Sequence, residues 1–295
     1  MAEIERVGVL GCGLMGSGIA QVAATAGYDT VVRDVSQQVW DKARSGIEKS
    51  LGKLVEKGKL GAADRDAALK RLRFTTTTAD LKACDIVVEA VPEDLELKNA
   101  LWQELDALCA PATLFASNTS SLTIAAMAAA TRRGDRFVGL HFFNPVPLMP
   151  LVEVVRTVTT SEETFRRAFA FAKSLGKEPV STKDNSGFIV NLLLVPYLLD
   201  AIRAVEHRVA SVPDIDKAMQ LGCGYPMGPL TLLDFVGLDT TYQIAEIMFA
   251  EYREARYAPP PLLKRMVLAG MSGRKSGKGF YDYAADPPRP VDLGI

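Results

Sequence analysis

Val7–Ala20 reads VGVLGCGLMGSGIA. An apolar run leads into Gly11, Gly13 and Gly16, which stand in a GxGxxG frame, and the following residues suit the start of a helix. A strand that runs into such a frame and opens a helix is the pattern of a dinucleotide-binding turn. Gly11 allows the tight turn, Gly13 lets a pyrophosphate approach the backbone, and Gly16 permits close helix–strand packing. The helix N-terminus favours the anion. Leu14 and Met15, between the last two glycines, are counted with the same cofactor loop. The frame alone is weak, and a tight turn that binds nothing is its competitor. Its context makes it specific: a second strand-like run, YDTVVRD, ends at Asp34, 18 residues after Gly16. Asp34 is suited to accept hydrogen bonds from the adenosine ribose hydroxyls. Its charge opposes a 2′-phosphate, so NAD is expected over NADP. Arg33, its neighbour, is the residue that could partner a 2′-phosphate instead.

Outward from this loop, strand-like runs recur at LRFTTT, DIVVEAV, TLFASN, RFVGLHFF and LVEVVRT, with helical patterns between several of them. Strands separated by helices imply a mainly parallel sheet with crossover connections. Asp34 to Arg71 is long, charged and helical, and is broken near Lys57–Gly61, which predicts two helices in a hairpin. From about Asp184 the period becomes helical throughout, with breaks at CGYPMGP and APPPL. The expected fold is α/β. Residues 1–185 form a Rossmann-type NAD-binding domain with a helical-hairpin excursion. Residues 186–295 form an all-helical domain. The Pro-rich tail after Tyr283 is expected to be irregular.

The formal net charge of -1 leaves no overall basic footprint for nucleic acid, so an anion-binding surface has to be local. No signal-peptide pattern opens the chain, and its longest apolar run, Gly187 to Leu199, is too short for a membrane span. Cys12, Cys84, Cys109 and Cys223 are scattered, with no metal spacing. These features point to a cytoplasmic protein with reduced thiols and no metal. One local cationic surface is visible. Lys49, Lys53 and Lys57 are spaced i, i+4, i+8 and line one helix face. Such a stripe is most often solvated, but Lys53 and Lys57 also suit a multiply charged anion.

Several segments together are similar to the L-3-hydroxyacyl-CoA dehydrogenases, most closely the short bacterial 3-hydroxybutyryl-CoA dehydrogenases. They are GCGLMGSGIA, VVEAVPEDLELK, FASNTSSL, GLHFFNPVPLMPLVEVV, KDNSGFIVN, GYPMGPLTLLDFVGLD and GRKSGKGFYDY, and they span residues 11 to 283. The resemblance implies an NAD-dependent oxidoreductase that interconverts a short-chain L-3-hydroxyacyl-CoA and its 3-oxoacyl-CoA. It also implies that the helical second domain, residues 186–295, serves substrate binding and forms a homodimer. An acyl-CoA is the expected partner, its phosphates suited to Lys53 and Lys57, with no nucleic acid and no membrane. Alternatives are a sugar-acid dehydrogenase, such as one acting on L-gulonate, and a crystallin-like structural or binding protein on the same fold.

Oxidising a secondary alcohol needs a base for the hydroxyl proton, and histidine's ordinary pKa of ~6.5 suits either direction. By resemblance His141 is that acid/base and Glu153 its orienting partner. Twelve residues with a Pro-rich turn could bring the chain back on itself. Ser117 matches the serine that hydrogen-bonds the substrate's 3-oxygen, and Asn191 is a second contact to that oxygen. Asn118 and Asn144 resemble cofactor-side contacts. Glu93 and Lys98 resemble positions near the nicotinamide ribose, with solvated charges at a helix start as the competing reading. Lys275 is expected to reach the cofactor or to brace the domain interface.

Overall fold

The structure, a computed structural model, describes residues 4–294. The chain forms two compact units, one ending at Phe188 and the other beginning at Ile189.

The first unit contains, in order, β1 (Arg6–Leu10), α1 (Leu14–Thr25), β2 (Asp29–Arg33), α2 (Gln37–Glu56), α3 (Ala62–Arg71) and β3 (Leu72–Thr75). There follow β4 (Ile86–Glu89), α4 (Leu95–Leu108), β5 (Leu114–Ser117), α5 (Ile124–Ala128), β6 (Phe137–Phe142), β7 (Leu151–Arg156), α6 (Glu162–Ser174) and β8 (Glu178–Lys183). The eight strands form one sheet in the order β3-β2-β1-β4-β5-β6-β7-β8. Every neighbouring pair is parallel except β6 and β7. The order reverses between β1 and β4, the switch point at which an open α/β sheet takes its ligand beyond the carboxyl ends of the strands.

Both sheet faces are covered, which is why the inner strands read as nearly continuous apolar runs. Alternation is still present within them. Val7, Val9, Ile86, Val88, Leu114 and Ala116 enter one core with Ile19 and Ala23 of α1. Leu10, Val87 and Phe115 enter the other with Trp102 of α4. Trp102 packs with ring centroids 4.8 Å from both Phe115 and Phe137. The helical hairpin is α2 and α3. Ser36 caps α2 by accepting from the Val39 N–H, and Gly58, just past its end, takes a left-handed φ of 65°.

β8 is not visible in the amino-acid pattern. Its sequence, EPVSTK, is largely exposed, so it lacks the alternation that marks a half-buried strand. Pairing with β7 at the sheet edge makes it a strand.

The second unit contains α7 (Val190–Glu206), α8 (Val212–Cys223), α9 (Pro229–Val236), α10 (Leu238–Tyr252) and α11 (Pro261–Leu268), around Leu199, Ile202, Leu230, Leu233, Met248 and Leu263. It is not wholly helical. Tyr281–Asp282 (β9) pairs antiparallel with Arg289–Pro290 (β10), so the tail expected to be irregular contributes a strand. Two buried carboxylates bind this end of the chain. Asp234 accepts from the N–H groups of Phe280 and Tyr281, and Asp216 accepts from the Tyr281 hydroxyl. Among the described residues, no helix is long and apolar enough to cross a membrane, and no cluster of three or more His, Cys, Asp or Glu could hold a metal ion.

Candidate active site

The glycine loop follows β1. Gly11 has φ 95°, the left-handed region that glycine adopts without strain. A Cβ on Gly16 would lie 1.9 Å from the Gly11 carbonyl oxygen, so only glycine allows α1 to start this close to the strand. A Cβ on Gly13 would meet nothing within 4 Å, which leaves that side of the loop open for a ligand to approach the backbone. α1 begins at Leu14 with no side-chain cap, so the N–H groups of its first turn, including those of Leu14 and Met15, present a positive end. Asp34 lies just beyond β2. It accepts from the Cys12 N–H at 2.5 Å and the Val35 N–H at 2.6 Å, which ties it to the glycine loop. Burial, reinforced by Asp34, pushes the Cys12 thiol up to about 12, so it stays protonated. The open loop, the free helix end and the fixed carboxylate fit a dinucleotide with unphosphorylated ribose hydroxyls.

His141 and Glu153 are brought together by the one antiparallel pairing in the sheet. His141 of β6 stands directly opposite Glu153 of β7, so the two side chains share a face. Nδ1 lies 2.6 Å from Glu153 Oε2, and both residues are buried. The rings of Phe143 and Phe188 lie 4.5 and 5.5 Å from the imidazole. Because β6 is parallel to β5, β4 and β1, His141 sits toward the same carboxyl edge of the sheet from which the glycine loop emerges.

The serine beside this histidine is Ser120, not Ser117. Ser120 Oγ lies 3.2 Å from His141 Nε2. Ser117 ends β5, is fully buried, and donates to Glu89 Oε2 at 2.6 Å. The segment FASNTSSL offers three serines, and only the turn after β5 decides which one faces the imidazole. The signal that could have pointed to Ser120 is that Ser117 continues the buried run LFAS.

Glu93 and Lys98 are not solvated charges. Lys98 is completely buried, and its ammonium meets three acceptors: Glu89 Oε1 at 2.6 Å, the Val91 carbonyl at 3.2 Å and Glu93 Oε2 at 3.2 Å. Those acceptors match the three N–H groups of an ammonium. Glu93 Oε1 in turn accepts from the Thr119 hydroxyl, the Ser120 N–H and the Ser121 hydroxyl. Burial alone would raise the Glu93 carboxyl. The Lys98 ammonium and the bonds from Thr119 and Ser120 outweigh it and hold the group below its ordinary value.

Asn118 is buried and spends its amide oxygen on the Phe142 N–H at 2.9 Å, linking β5 to β6. Asn144 is exposed in the loop between β6 and β7. Lys53 lies in the last turn of α2 and Lys57 follows it, both exposed. Asn191 and Lys275 belong to the second unit. Asn191 is half-buried in the first turn of α7, and Lys275 pairs with Asp239 at 2.6 Å.

The family model described as 3-hydroxyacyl-CoA dehydrogenase, NAD binding domain, matches residues 6–185, and the C-terminal domain model of the same family matches residues 187–283. A 3-hydroxybutyryl-CoA dehydrogenase from Mycobacterium tuberculosis is 52% identical over 95% of this chain and 99% of its own. The mitochondrial hydroxyacyl-coenzyme A dehydrogenase of Homo sapiens is 50% identical over 95% of this chain and 91% of its own. The crystal structure of (S)-3-hydroxybutyryl-CoA dehydrogenase from Ralstonia eutropha superposes with a TM-score of 0.92 at 42% identity, covering 96% of this chain and 100% of that one. Both family models side by side on one chain, with relatives 50–52% identical over nearly its whole length, place this protein in the 3-hydroxyacyl-CoA dehydrogenase family.

Proposed function

We infer that the protein is an NAD-dependent oxidoreductase interconverting L-3-hydroxyacyl-CoA and 3-oxoacyl-CoA, with short-chain substrates such as 3-hydroxybutyryl-CoA. The observation that carries this is the buried His141–Glu153 pair, at the carboxyl edge of a sheet whose first turn is built for a dinucleotide. Bound NAD supplies the acceptor for the hydride that leaves C3 of the alcohol. The protein supplies the proton chemistry. Glu153 accepts from Nδ1–H of His141, which leaves the Nε2 lone pair to take the proton of the 3-hydroxyl. The imidazolium so formed is stabilised by the same carboxylate. In the reverse direction Nε2–H returns the proton to the oxygen. Ser120, beside Nε2, is the hydroxyl suited to hold that oxygen.

Gly11, Gly13, Leu14, Met15 and Gly16 hold the pyrophosphate with their backbone, and Asp34 holds the adenosine ribose. Asn144 and Glu93 serve the nicotinamide side. Lys98 contributes through Glu93, because its ammonium is already fully engaged. Lys53 and Lys57 attract the phosphates of coenzyme A. The second unit serves substrate binding and homodimer formation, and the exposed Leu221 of α8 is one apolar residue available to an interface. A homodimer would sediment at twice the 31.9 kDa chain mass. We place the protein in the cytoplasm, where free thiols such as those of Cys12, Cys84 and Cys109 stay reduced.

The test is a turnover panel of 3-oxoacyl-CoA chain lengths, with NADH and NADPH followed by absorbance. Acetoacetyl-CoA with NADH is expected to be turned over efficiently, and NADPH poorly. Activity confined to free sugar acids would sink the reading.

A further inference from the structure

Glu89 closes β4 and takes no part in the proton transfer described above. Its side chain is wholly buried, yet it is a carboxylate with both oxygens engaged. Oε1 accepts from the Lys98 ammonium at 2.6 Å and the Val91 N–H at 2.7 Å, and Oε2 accepts from the Ser117 hydroxyl at 2.6 Å. Its carbonyl also accepts from the Asn118 N–H at 2.8 Å. A buried ion pair is a poor route to stability, because desolvating both ions offsets their attraction and an apolar pair of similar volume often serves as well. What such a pair does provide here is fixed geometry.

That geometry leads to His141 by two routes. Lys98, held by Glu89, reaches Glu93 at 3.2 Å. Glu93 gathers the Thr119 hydroxyl, and the Ser120 N–H and Ser121 hydroxyl at 3.1 Å each. Along the second route Ser117, also held by Glu89, accepts from the Thr119 N–H at 3.2 Å. Both routes grip the turn that carries Ser120, whose hydroxyl lies 3.2 Å from His141 Nε2.

We propose that Glu89 is a positioning residue for the reaction. By anchoring Ser117 directly and Glu93 through Lys98, it holds the Thr119–Ser121 turn so that Ser120 stays against His141. The proposal rests on the reading of His141 as the proton-transfer group. It adds a residue that touches neither substrate nor cofactor.

Two variants separate charge from reach. Glu89→Gln keeps the size and an oxygen for its neighbours, but loses the charge that fixes Lys98. Glu89→Asp keeps the charge and is one methylene too short to span Ser117 and Lys98 together. For each folded variant, kcat for acetoacetyl-CoA reduction is expected to fall roughly 10-fold or more, as small displacements of reacting groups do. KM for NADH should change less than kcat, because the dinucleotide loop is untouched and the cofactor side is reached only indirectly, through Lys98 and Glu93. Amide hydrogen exchange over Thr119–Leu122 should become faster. A kcat near wild type with unchanged exchange in this turn overturns the proposal, and so does a loss of activity that only tracks the folded fraction. If Glu89→Gln does not fold, the same readings on Glu89→Asp decide. A wild-type protein that turns over no 3-oxoacyl-CoA would remove the functional reading instead, while exchange in the turn would still report whether Glu89 anchors it.

Discussion

His141 is useful because of what touches each of its ring nitrogens. Glu153 on Nδ1 sets the tautomer, and Nε2 faces Ser120. His141→Ala should therefore lower kcat by about 10²–10⁴-fold, the usual contribution of a positioned acid–base group, with little change in NADH affinity. Stopped-flow turnover together with NADH fluorescence titration checks both halves, and near-wild-type turnover would reject the assignment. The two serines make a sharper comparison. Ser120→Ala removes the hydroxyl beside Nε2 and should depress kcat by roughly 10-fold or more. Ser117→Ala leaves one oxygen of buried Glu89 short of a donor. Its main effect should be on thermal stability, of about 1–3 kcal/mol, with a smaller loss of kcat. A larger kcat loss for Ser117→Ala than for Ser120→Ala would restore the reading made from sequence. That reading missed Ser120 because neighbouring serines in a turn differ in environment and not in residue type.

At the scale of elements, α2 carries the feature that bears most directly on substrate. Lys53 and Lys57 lie one turn apart and are exposed, and no ion pair engages them among the described residues. Exposed contacts of this kind are individually worth about 0.2–1 kcal/mol after screening. The double change to alanine should raise KM for acetoacetyl-CoA more than it lowers kcat, and added salt should shrink the difference. A truncated substrate without the nucleotide end should be almost indifferent to both lysines. Equal impairment of that truncated substrate would make the stripe structural. The β2–loop junction makes a second prediction. Asp34 is fixed to the Cys12 N–H at 2.5 Å, so Asp34→Ser removes a charge and an anchor together. NADH should lose efficiency and NADPH should gain relative to it, narrowing the preference. Equal use of both cofactors by the native enzyme would contradict this and point to Arg33.

For the whole molecule, three carboxyls tie stability to pH. Asp106 at the end of α4 receives the Arg133 guanidinium at 2.6 Å, and Arg133 also donates to the carbonyls of Ala110 and Cys109. Burial alone would raise Asp106. The Arg132 N–H and the Arg133 and Arg132 side chains outweigh it and hold the carboxyl below its ordinary value. A carboxyl depressed in the folded state binds its proton more readily when unfolded. Its stabilisation is complete above the unfolded value of ~3.9 and is lost as pH falls through the folded value. Glu93 acts in the same sense. Asp234 is raised, chiefly by burial, and acts in the opposite sense. Asp106→Asn should destabilise the protein by about 3–5 kcal/mol near neutral pH, because it strands a buried arginine. It should also flatten the fall in melting temperature as pH drops below about 4. Calorimetry across that range tests both, and an unchanged acid slope would remove Asp106 from the account.

The glycine frame, the distance from it to Asp34, and the alternation of strand and helix were enough to determine the nucleotide-binding sheet. Each of these depends on local backbone geometry or on a short-range period. The likeness of several separated motifs to one family was equally plain in the residues. What the sequence could not determine was decided by pairings between distant segments. β8 is a strand because β7 offers an edge, not because EPVSTK alternates. Lys98 is a buried cation because Glu89 and Glu93, from the strand end and the loop before its helix, converge on it. Ser120 faces His141 because the turn after β5 passes the end of β6, and Glu153 meets His141 because β6 and β7 pair in that exact register. A side chain's chemistry is read from its own letter, but its partner is set by register and burial, which exist only once the strands have paired.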